Sequence, residues 1–219
     1  MTTPFHVCWV ADPSGLQGRT LLQIAAEALE GGVDAIQLRA KSVPAKEVYA
    51  LARSLRDLTK ARGAWFAVND RVDVALAVEA DGVHLGNQSM PVEQVRRIGP
   101  SLTVGVSCHS VEDAVRAERE GADYVFLGPV YWTLSKAEFG PPLGVQAFRH
   151  AAQSVALPVI GIGGITANQV AEVLEAGASG IAVIGAIASA LNVKASARDL
   201  CASFSSPSSP SLLSSFHGS

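Results

Sequence analysis

Pro158-Val159-Ile160-Gly161-Ile162-Gly163-Gly164-Ile165 and, one helix-length further on, Gly180-Ile181-Ala182-Val183-Ile184-Gly185-Ala186 decide the fold of this chain. Within them, Val159 to Ile162 and Ile181 to Ile184 are apolar runs too short for a helix, each is followed by glycine, and the residues between them carry apolar side chains at helical spacing. Strand, helix and strand in that order imply parallel pairing, and the unbroken apolar character implies burial on both faces. Working outward, comparable runs fall at Phe5 to Val10, Ala35 to Leu38, Trp65 to Val68, Gly82 to Leu85, Leu102 to Val106 and Tyr124 to Leu127. Eight such strands alternating with helices make an α/β chain that closes into a single-domain (β/α)8 TIM barrel, with its active site where the strands end. Those ends offer Asp12, Gln37, Arg39, Lys41, Asn69, Asp70, His84, Ser107, His109, Gly163, Gly164 and Gly185. Packing alone gives no reason for so many polar groups on one rim.

The 219 residues divide into a barrel domain, residues 1–203, and a tail, residues 204–219, dominated by serine with Pro207 and Pro210. That tail composition buries too little surface to offset the entropy of ordering, so the tail is expected to be disordered and dispensable. Hydrophobic residues make up 48% and charged residues 17%, which suits a sheet covered on both faces. A net charge of -3 gives no general attraction to nucleic acid or to a membrane, while leaving room for a local basic pocket around an anion. Cys8, Cys108 and Cys201 lack metal-ligand spacing and cannot all pair within one chain, which fits a reducing compartment. Strand alternation turns Cys108 outward as a buried structural thiol, although it neighbours candidate site residues. No basic segment precedes an apolar stretch at the N-terminus, and no run is long enough to cross a bilayer. The expected setting is cytoplasmic, with small molecules as partners; a homo-oligomer is compatible with this reading.

Helices are expected at Leu21 to Leu29, Ala45 to Lys60, Val72 to Val78, Val92 to Ile98, Val111 to Glu120, Val145 to Ala152 and Ala167 to Ala176. Pro44, Pro91, Ser110 with Asp113 three residues on, and Thr166 mark helix starts. Gly31, Gly121 and Gly177 stand where a left-handed residue would end a helix. The phrases Glu30-Gly31-Gly32-Val33-Asp34, Glu120-Gly121-Ala122-Asp123 and Ala176-Gly177-Ala178-Ser179 look like one element reused. Tyr131 to Gly144 is longer than a barrel connection needs and is expected to cover the substrate.

Gly163-Gly164 and Gly185 follow the seventh and eighth strands, where barrels bind phosphate through backbone amides and a helix N-terminus. The competing reading is that they only make tight turns. Gln37, Arg39 and Lys41 alternate, so in extended chain they face one side and imply an anionic ligand. Asp70 is the candidate magnesium ligand, since hard cations take oxygen, and equally a candidate cap for a helix beginning at Arg71. Ser107 and His109 share one side of the fifth strand, and His109 is either a proton donor and acceptor or a histidine satisfied by backbone. His84 points elsewhere in the pattern and reads as a core residue with a hydrogen-bonded ring. Thr133, Ser135 and Lys136 supply hydroxyls and a point charge on the long loop, apt for a pyrophosphate.

Taken together, Gln37-Leu38-Arg39-x-Lys41, Asn69-Asp70, Asp81-Gly82-Val83-His84-Leu85-Gly86, Ser107-x-His109, Gly128-Pro129-Val130, Thr133-x-Ser135-Lys136 and Gly161-x-Gly163-Gly164 resemble the thiamine phosphate synthase family, which includes the thiazole tautomerases. The resemblance runs from about Phe5 to Ala190. It implies a transferase of thiamine biosynthesis that joins hydroxymethylpyrimidine diphosphate to thiazole phosphate, releasing pyrophosphate, with Mg2+ as cofactor. It also implies that Gln37 to Lys41, Asn69, Ser107 and Lys136 hold the pyrimidine diphosphate, that Thr133, Ser135, Gly164, Ile184 and Gly185 hold the thiazole phosphate, and that Asp70 holds magnesium. Lys136, Ser107 and His109 are then the candidate catalytic residues. One position departs from the synthase pattern: a second acidic metal ligand is expected after the His-x-Gly segment, and Gly86-Asn87-Gln88-Ser89 places Ser89 there. The tautomerase branch lacks that acid and uses the histidine of Ser-x-His, here His109, as a proton shuttle. A non-catalytic binder of thiamine precursors is the remaining alternative. The retained Gln37, Asn69, Asp70 and Lys136 favour the synthase.

Overall fold

Strands form where the apolar runs stand: β1 (Val7–Ala11), β2 (Ala35–Leu38), β3 (Trp65–Asn69), β4 (Gly82–Leu85), β5 (Thr103–Cys108), β6 (Tyr124–Leu127), β7 (Val159–Ile162) and β8 (Gly180–Val183). They pair in parallel, each with its sequence neighbour, and β8 returns to β1 to close the barrel. The structure, a computed structural model, describes residues 3–14, 16, 18–133 and 141–204. Residues 134–140 of the long loop, Ser135 and Lys136 among them, and the tail beyond Phe204 lie outside the described residues.

The outer layer comprises α1 (Leu21–Glu30), α2 (Ala45–Arg62), α3 (Val72–Ala77), α4 (Val92–Ile98), α5 (Val111–Arg119), α6 (Gly144–Ser154), α7 (Val170–Glu175), α8 (Gly185–Ala188) and α9 (Val193–Cys201). The starts expected at Pro44, Pro91, Ser110 and Thr166 are observed; the Ser110 side chain accepts from the Asp113 amide, and Thr166 forms a reciprocal capping box with Gln169. A single 3-10 turn, Ala167–Gln169, intervenes before α7. The reading of the sequence did not include α8 and α9. Gly31 is not left-handed, having φ -81°; the left-handed residue is Gly32, at φ 106°. Gly31 is instead needed for contact, because a side chain there would strike Ala197 and the Lys194 carbonyl of α9. Gly121 and Gly177 are left-handed, as expected.

Inside the barrel, large and small residues complement one another. Phe5, Trp65, Tyr124 and Phe126 fill the interior, with Phe5 and Trp65 ring centroids 5.0 Å apart and Phe5 and Tyr124 edge-on at 5.5 Å. Their bulk is admitted by glycines: a Cβ on Gly82 would lie 2.6 Å from the Trp65 ring, and one on Gly105 would overlap the Tyr124 phenol. Each such aromatic pair contributes about 0.5–1.5 kcal/mol beyond its buried area. Cys108 faces the outer layer, as expected, and burial pushes its thiol up to about 12.

The reused phrases have a common structural task. Asp34, Asp81, Asp123 and Ser179 each precede an even-numbered strand and donate their amide to the carbonyl of Val7, Phe66, Val104 and Val159 on the strand before. In the first three, the carboxylate accepts the amide of that same partner residue, at 2.8, 2.8 and 2.7 Å. Arg56 and Arg96 pair with Asp81 and Asp123 in turn.

Candidate active site

Strand register brings the rim residues at or beyond the ends of β2, β3 and β4 into one hydrogen-bonded string. Gln37, buried at 2% exposure, donates through Nε2 to Asn69 Oδ1 at 3.2 Å, and Asn69 Nδ2 donates to Asp70 Oδ2 at 2.5 Å. The other Asp70 oxygen accepts from the Ser89 hydroxyl and, at 3.4 Å, from the Gly86 amide. Gln37 Oε1 is buried without a partner among the described residues, a polar atom aimed at something the chain itself does not supply.

Asp70 does not cap the helix that follows it. Helix α3 starts at Val72 with Arg71 at its cap, and no side chain caps it. Asp70 adopts φ 62°, a left-handed conformation that short polar residues tolerate, and its carboxylate is held by Asn69, Gly86 and Ser89 instead. Ser89 thus stands beside Asp70. Such a donor set fits magnesium in its sparest protein form, one carboxylate completed by water and substrate phosphate oxygens. Among the described residues there is no group of three or more His, Cys, Asp or Glu that could hold a metal alone.

Arg39 reaches the rim, and its guanidinium pairs with Asp12 at 2.6 Å; Asp12 is fixed in turn by the amide and hydroxyl of Ser14. Lys41 is exposed at the end of the same stretch. The structure therefore adds Asp12 to the site as the partner of Arg39, whereas the sequence marked it only as a strand-end carboxylate.

His84 is a core residue with a hydrogen-bonded ring, as expected, but it does not point away from the rim residues. It pairs in register with Asn69 on one side and Gly105 on the other, and so faces the interior. Its Nε2 lies 2.9 Å from Ser107 Oγ and its Nδ1 3.2 Å from the Tyr124 hydroxyl. Burial pushes its pKa from 6.5 down to about 3, against a smaller opposing pull from Asp70. His109 is exposed; its Nδ1 donates to the Gly128 carbonyl at 2.6 Å, and its amide donates to Asp113. That bond leaves Nε2 as the basic nitrogen.

On the opposite half of the rim, the turns after β7 and β8 lie side by side. Gly163 and Gly164 have φ 94° and 69°, and each supports a close crossing: a Cβ would come within 2.5 Å of Pro129 and of the Trp132 carbonyl, respectively. Val130 and Tyr131 donate their amides to Ile162 and Gly163, and the Tyr131 hydroxyl donates to Glu172 at 2.5 Å. These glycines therefore make the tight turns that seat Pro129 to Trp132 against the end of β7. Ile184 closes β8 at the cap of α8, and Gly185 is the first residue of that helix. The described rim thus divides into a half on β2 to β5 that carries Arg39, Lys41 and the side-chain amides of Gln37 and Asn69, and a half on β6 to β8 that carries the glycine turns.

Comparison with known proteins agrees with this geometry. Residues 7–187 match the family model described as thiamine monophosphate synthase. The chain is 48% identical over 193 residues to a thiamine-phosphate synthase of Roseiflexus castenholzii, covering 88% of this chain and 85% of that one. It is 45% identical over 184 residues to the thiamine-phosphate synthase of Moorella thermoacetica, covering 84% and 88%. Among solved structures, thiamine phosphate pyrophosphorylase from Pyrococcus furiosus superposes with a TM-score of 0.82 at 41% identity, over 90% of this chain and 93% of that chain. The 3-hexulose-6-phosphate synthase of Salmonella typhimurium, at 14% identity and a TM-score of 0.71, shares the fold.

Proposed function

The chain belongs to the thiamine monophosphate synthase family, and from that premise we propose how its rim makes thiamine phosphate from hydroxymethylpyrimidine diphosphate and thiazole phosphate. The observation that carries the reading is the division of the rim into these two halves. Gln37, Arg39, Lys41, Asn69 and Ser107, with Lys136 from the long loop, take the pyrimidine diphosphate. Thr133, Ser135, Gly164, Ile184 and Gly185 take the thiazole phosphate.

The chemistry is a dissociative substitution. The bond between the pyrimidine methylene carbon and the diphosphate oxygen breaks, its electron pair leaves with pyrophosphate, and the lone pair of the thiazole nitrogen forms the new bond to carbon. Atoms and electrons balance without a side-chain nucleophile or a net proton transfer. Arg39 and Lys41 face the charge that grows on the leaving oxygens, which is where preorganised cations lower a barrier. Asp12 holds the Arg39 fork in place. The buried amide of Gln37 orients the pyrimidine, its free Oε1 accepting a hydrogen bond from the ring system. Asp70 would hold magnesium, which supplies divalent counter-charge to the departing pyrophosphate. His109 stands anchored to Gly128 and takes no obligatory proton in this scheme.

No helix among the described residues is long and apolar enough to cross a membrane. The three free cysteines suit the reducing cytoplasm in which we place the protein. The deciding experiment incubates purified protein with both precursors and magnesium. Formation of thiamine phosphate with equimolar pyrophosphate supports the reading; isomerisation of a thiazole with no coupling would replace it with the tautomerase, and intact binding without either reaction would replace it with a binder.

A further inference from the structure

Beneath the rim lies a buried polar string that the substitution chemistry does not use. Tyr124, His84 and Ser107 come from β6, β4 and β5, and the pairings of His84 with Gly105 and of Gly105 with Tyr124 line them up across three adjacent strands. Gly105 has no side chain, so the phenol crosses over it to reach the imidazole. Phe126 covers His84 with ring centroids 4.2 Å apart. Tyr124 and His84 are both fully enclosed, at 0% and 1% exposure, and the upper end of the string is the half-buried Ser107.

A neutral imidazole has one donor and one acceptor nitrogen, so the string has two polarities. In one, His84 Nδ1–H donates to the phenol oxygen and Ser107 donates to Nε2. The phenolic proton then has no acceptor among the described residues, and an orphaned buried donor is the costly arrangement. In the other, the phenol donates to Nδ1 and Nε2–H donates to Ser107 Oγ, so every group is satisfied and the Ser107 proton remains uncommitted. His84 is enclosed between a phenol and a hydroxyl with no carboxylate on either nitrogen, the setting of a neutral imidazole. We propose that Tyr124 and His84 are positioning residues that fix Ser107 as a hydrogen-bond donor toward the anion at the rim, through the chain Tyr124 O–H to His84 Nδ1, His84 Nε2–H to Ser107 Oγ, and Ser107 O–H to a diphosphate oxygen. Only the last link rests on the reading that Ser107 faces the diphosphate. Bonds in such a chain polarise one another, so the phenol strengthens a contact it never touches.

The test has two independent arms. Long-range 15N–1H correlation spectra of the imidazoles report the tautomer directly, with the His84 signal assigned by its loss in His84→Asn. The wild-type protein is expected to show Nε2–H with a hydrogen-bonded Nδ1, and Tyr124→Phe to keep Nε2–H, since an Nδ1–H facing phenylalanine would be an orphaned donor, while the Nδ1 resonance moves downfield as the phenol bond is lost. Calorimetric binding of inorganic pyrophosphate with magnesium is the second arm. Ser107→Ala should weaken binding about tenfold, the loss of one hydrogen bond to a charged group, and Tyr124→Phe by a smaller factor of about two to three, the loss of the phenol's polarisation of that bond. In the Ser107→Ala background, Tyr124→Phe should then add nothing. A wild-type Nδ1–H tautomer overturns the relay whatever Ser107 contacts. An Nε2–H tautomer with pyrophosphate affinity indifferent to Ser107→Ala overturns the link to the ligand, and with it the placement of the diphosphate. Persistence of the Tyr124→Phe effect in the Ser107→Ala protein shows that Tyr124 acts by another route. Should Tyr124→Phe fail to fold, the wild-type tautomer and the Ser107→Ala affinity still decide the matter.

Discussion

Lowering the pH from about 7 to about 5 should destabilise this barrel through one residue. His84 has a folded pKa of about 3 against 6.5 for the free side chain, because it is buried. Between those values the unfolded chain binds a proton that the folded chain refuses, so stability rises with pH and is lost as pH falls. One pKa unit corresponds to 1.36 kcal/mol, and integrating the two titrations from pH 7 to 5 gives a loss of about 2 kcal/mol for the group. Carboxylates with depressed pKa values act lower on the scale. Asp73, bonded to Arg71, and Asp113, whose burial is outweighed by the His109 amide and Arg116, have folded values below 3.8, so their contributions disappear only under more acidic conditions. The assay is urea unfolding of wild type and His84→Asn at both pH values, read as the difference of differences, in which every shared titration cancels. Wild type should lose about 2 kcal/mol more than the variant on acidification. Parallel losses would refute the claim that a neutral His84 is part of the folded core.

Arg39→Ala should weaken diphosphate binding about 10- to 100-fold while leaving thiazole phosphate binding within about twofold, measured by calorimetry, since the two anions are assigned to opposite halves of the rim. Ser89→Asp should place a second carboxylate beside Asp70 and lower the magnesium concentration for half-maximal coupling by about tenfold, whereas His109→Ala should reduce coupling less than about fivefold. The reverse ordering would speak for proton-transfer chemistry. Gly164→Ala, forced into φ 69° with its Cβ 2.5 Å from the Trp132 carbonyl, should cost about 1–3 kcal/mol in denaturant unfolding and weaken thiazole phosphate binding. Removing the residues after Phe204 should leave activity and melting temperature nearly unchanged; a large drop in either would show that the tail docks.

The strands were legible because parallel strands covered on both faces are written as unbroken apolar runs, and every one of the eight lies within a residue or two of its run. Two helices were not read. Helix α8 has four residues, Gly-Ala-Ile-Ala, too few to show any period. Helix α9 does carry a signal, with Val193, Ala197 and Leu200 buried at helical spacing behind an Asn192 cap, but the pattern is short and runs straight into the serine-rich tail, which dilutes it over any longer window. At the site, strand-end position alone picked out Gln37, Arg39, Asn69, Asp70 and Ser107. Asp12 as the partner of Arg39, and His84 as the partner of Ser107, depend on which residues of separate strands lie level. That register belongs to the closed sheet and leaves no mark in any local window. The same holds for Gly105, whose missing side chain makes sense only once the Tyr124 ring is known to occupy its place.

The carboxylate clasps on the floor of the barrel divide it in a way its smooth circular sheet conceals. Asp34, Asp81 and Asp123 bind β2 to β1, β4 to β3 and β6 to β5, each through a reciprocal pair of bonds, while Ser179 repeats only the backbone half between β8 and β7. The molecule is therefore a ring of four quarter-barrels, each fastened internally at the end remote from chemistry and joined to the next at a seam by sheet hydrogen bonds and, toward the rim, by side-chain bonds such as Gln37 to Asn69 and His84 to Ser107. A quarter can be exchanged as a cassette at those seams without severing a clasp, and the substrate halves at the rim fall across more than one cassette. Grafting the last quarter would carry the Gly185 turn after β8 intact and leave the β2 to β5 half-ring untouched, so on the proposed assignment recognition of the two anions could be re-engineered separately.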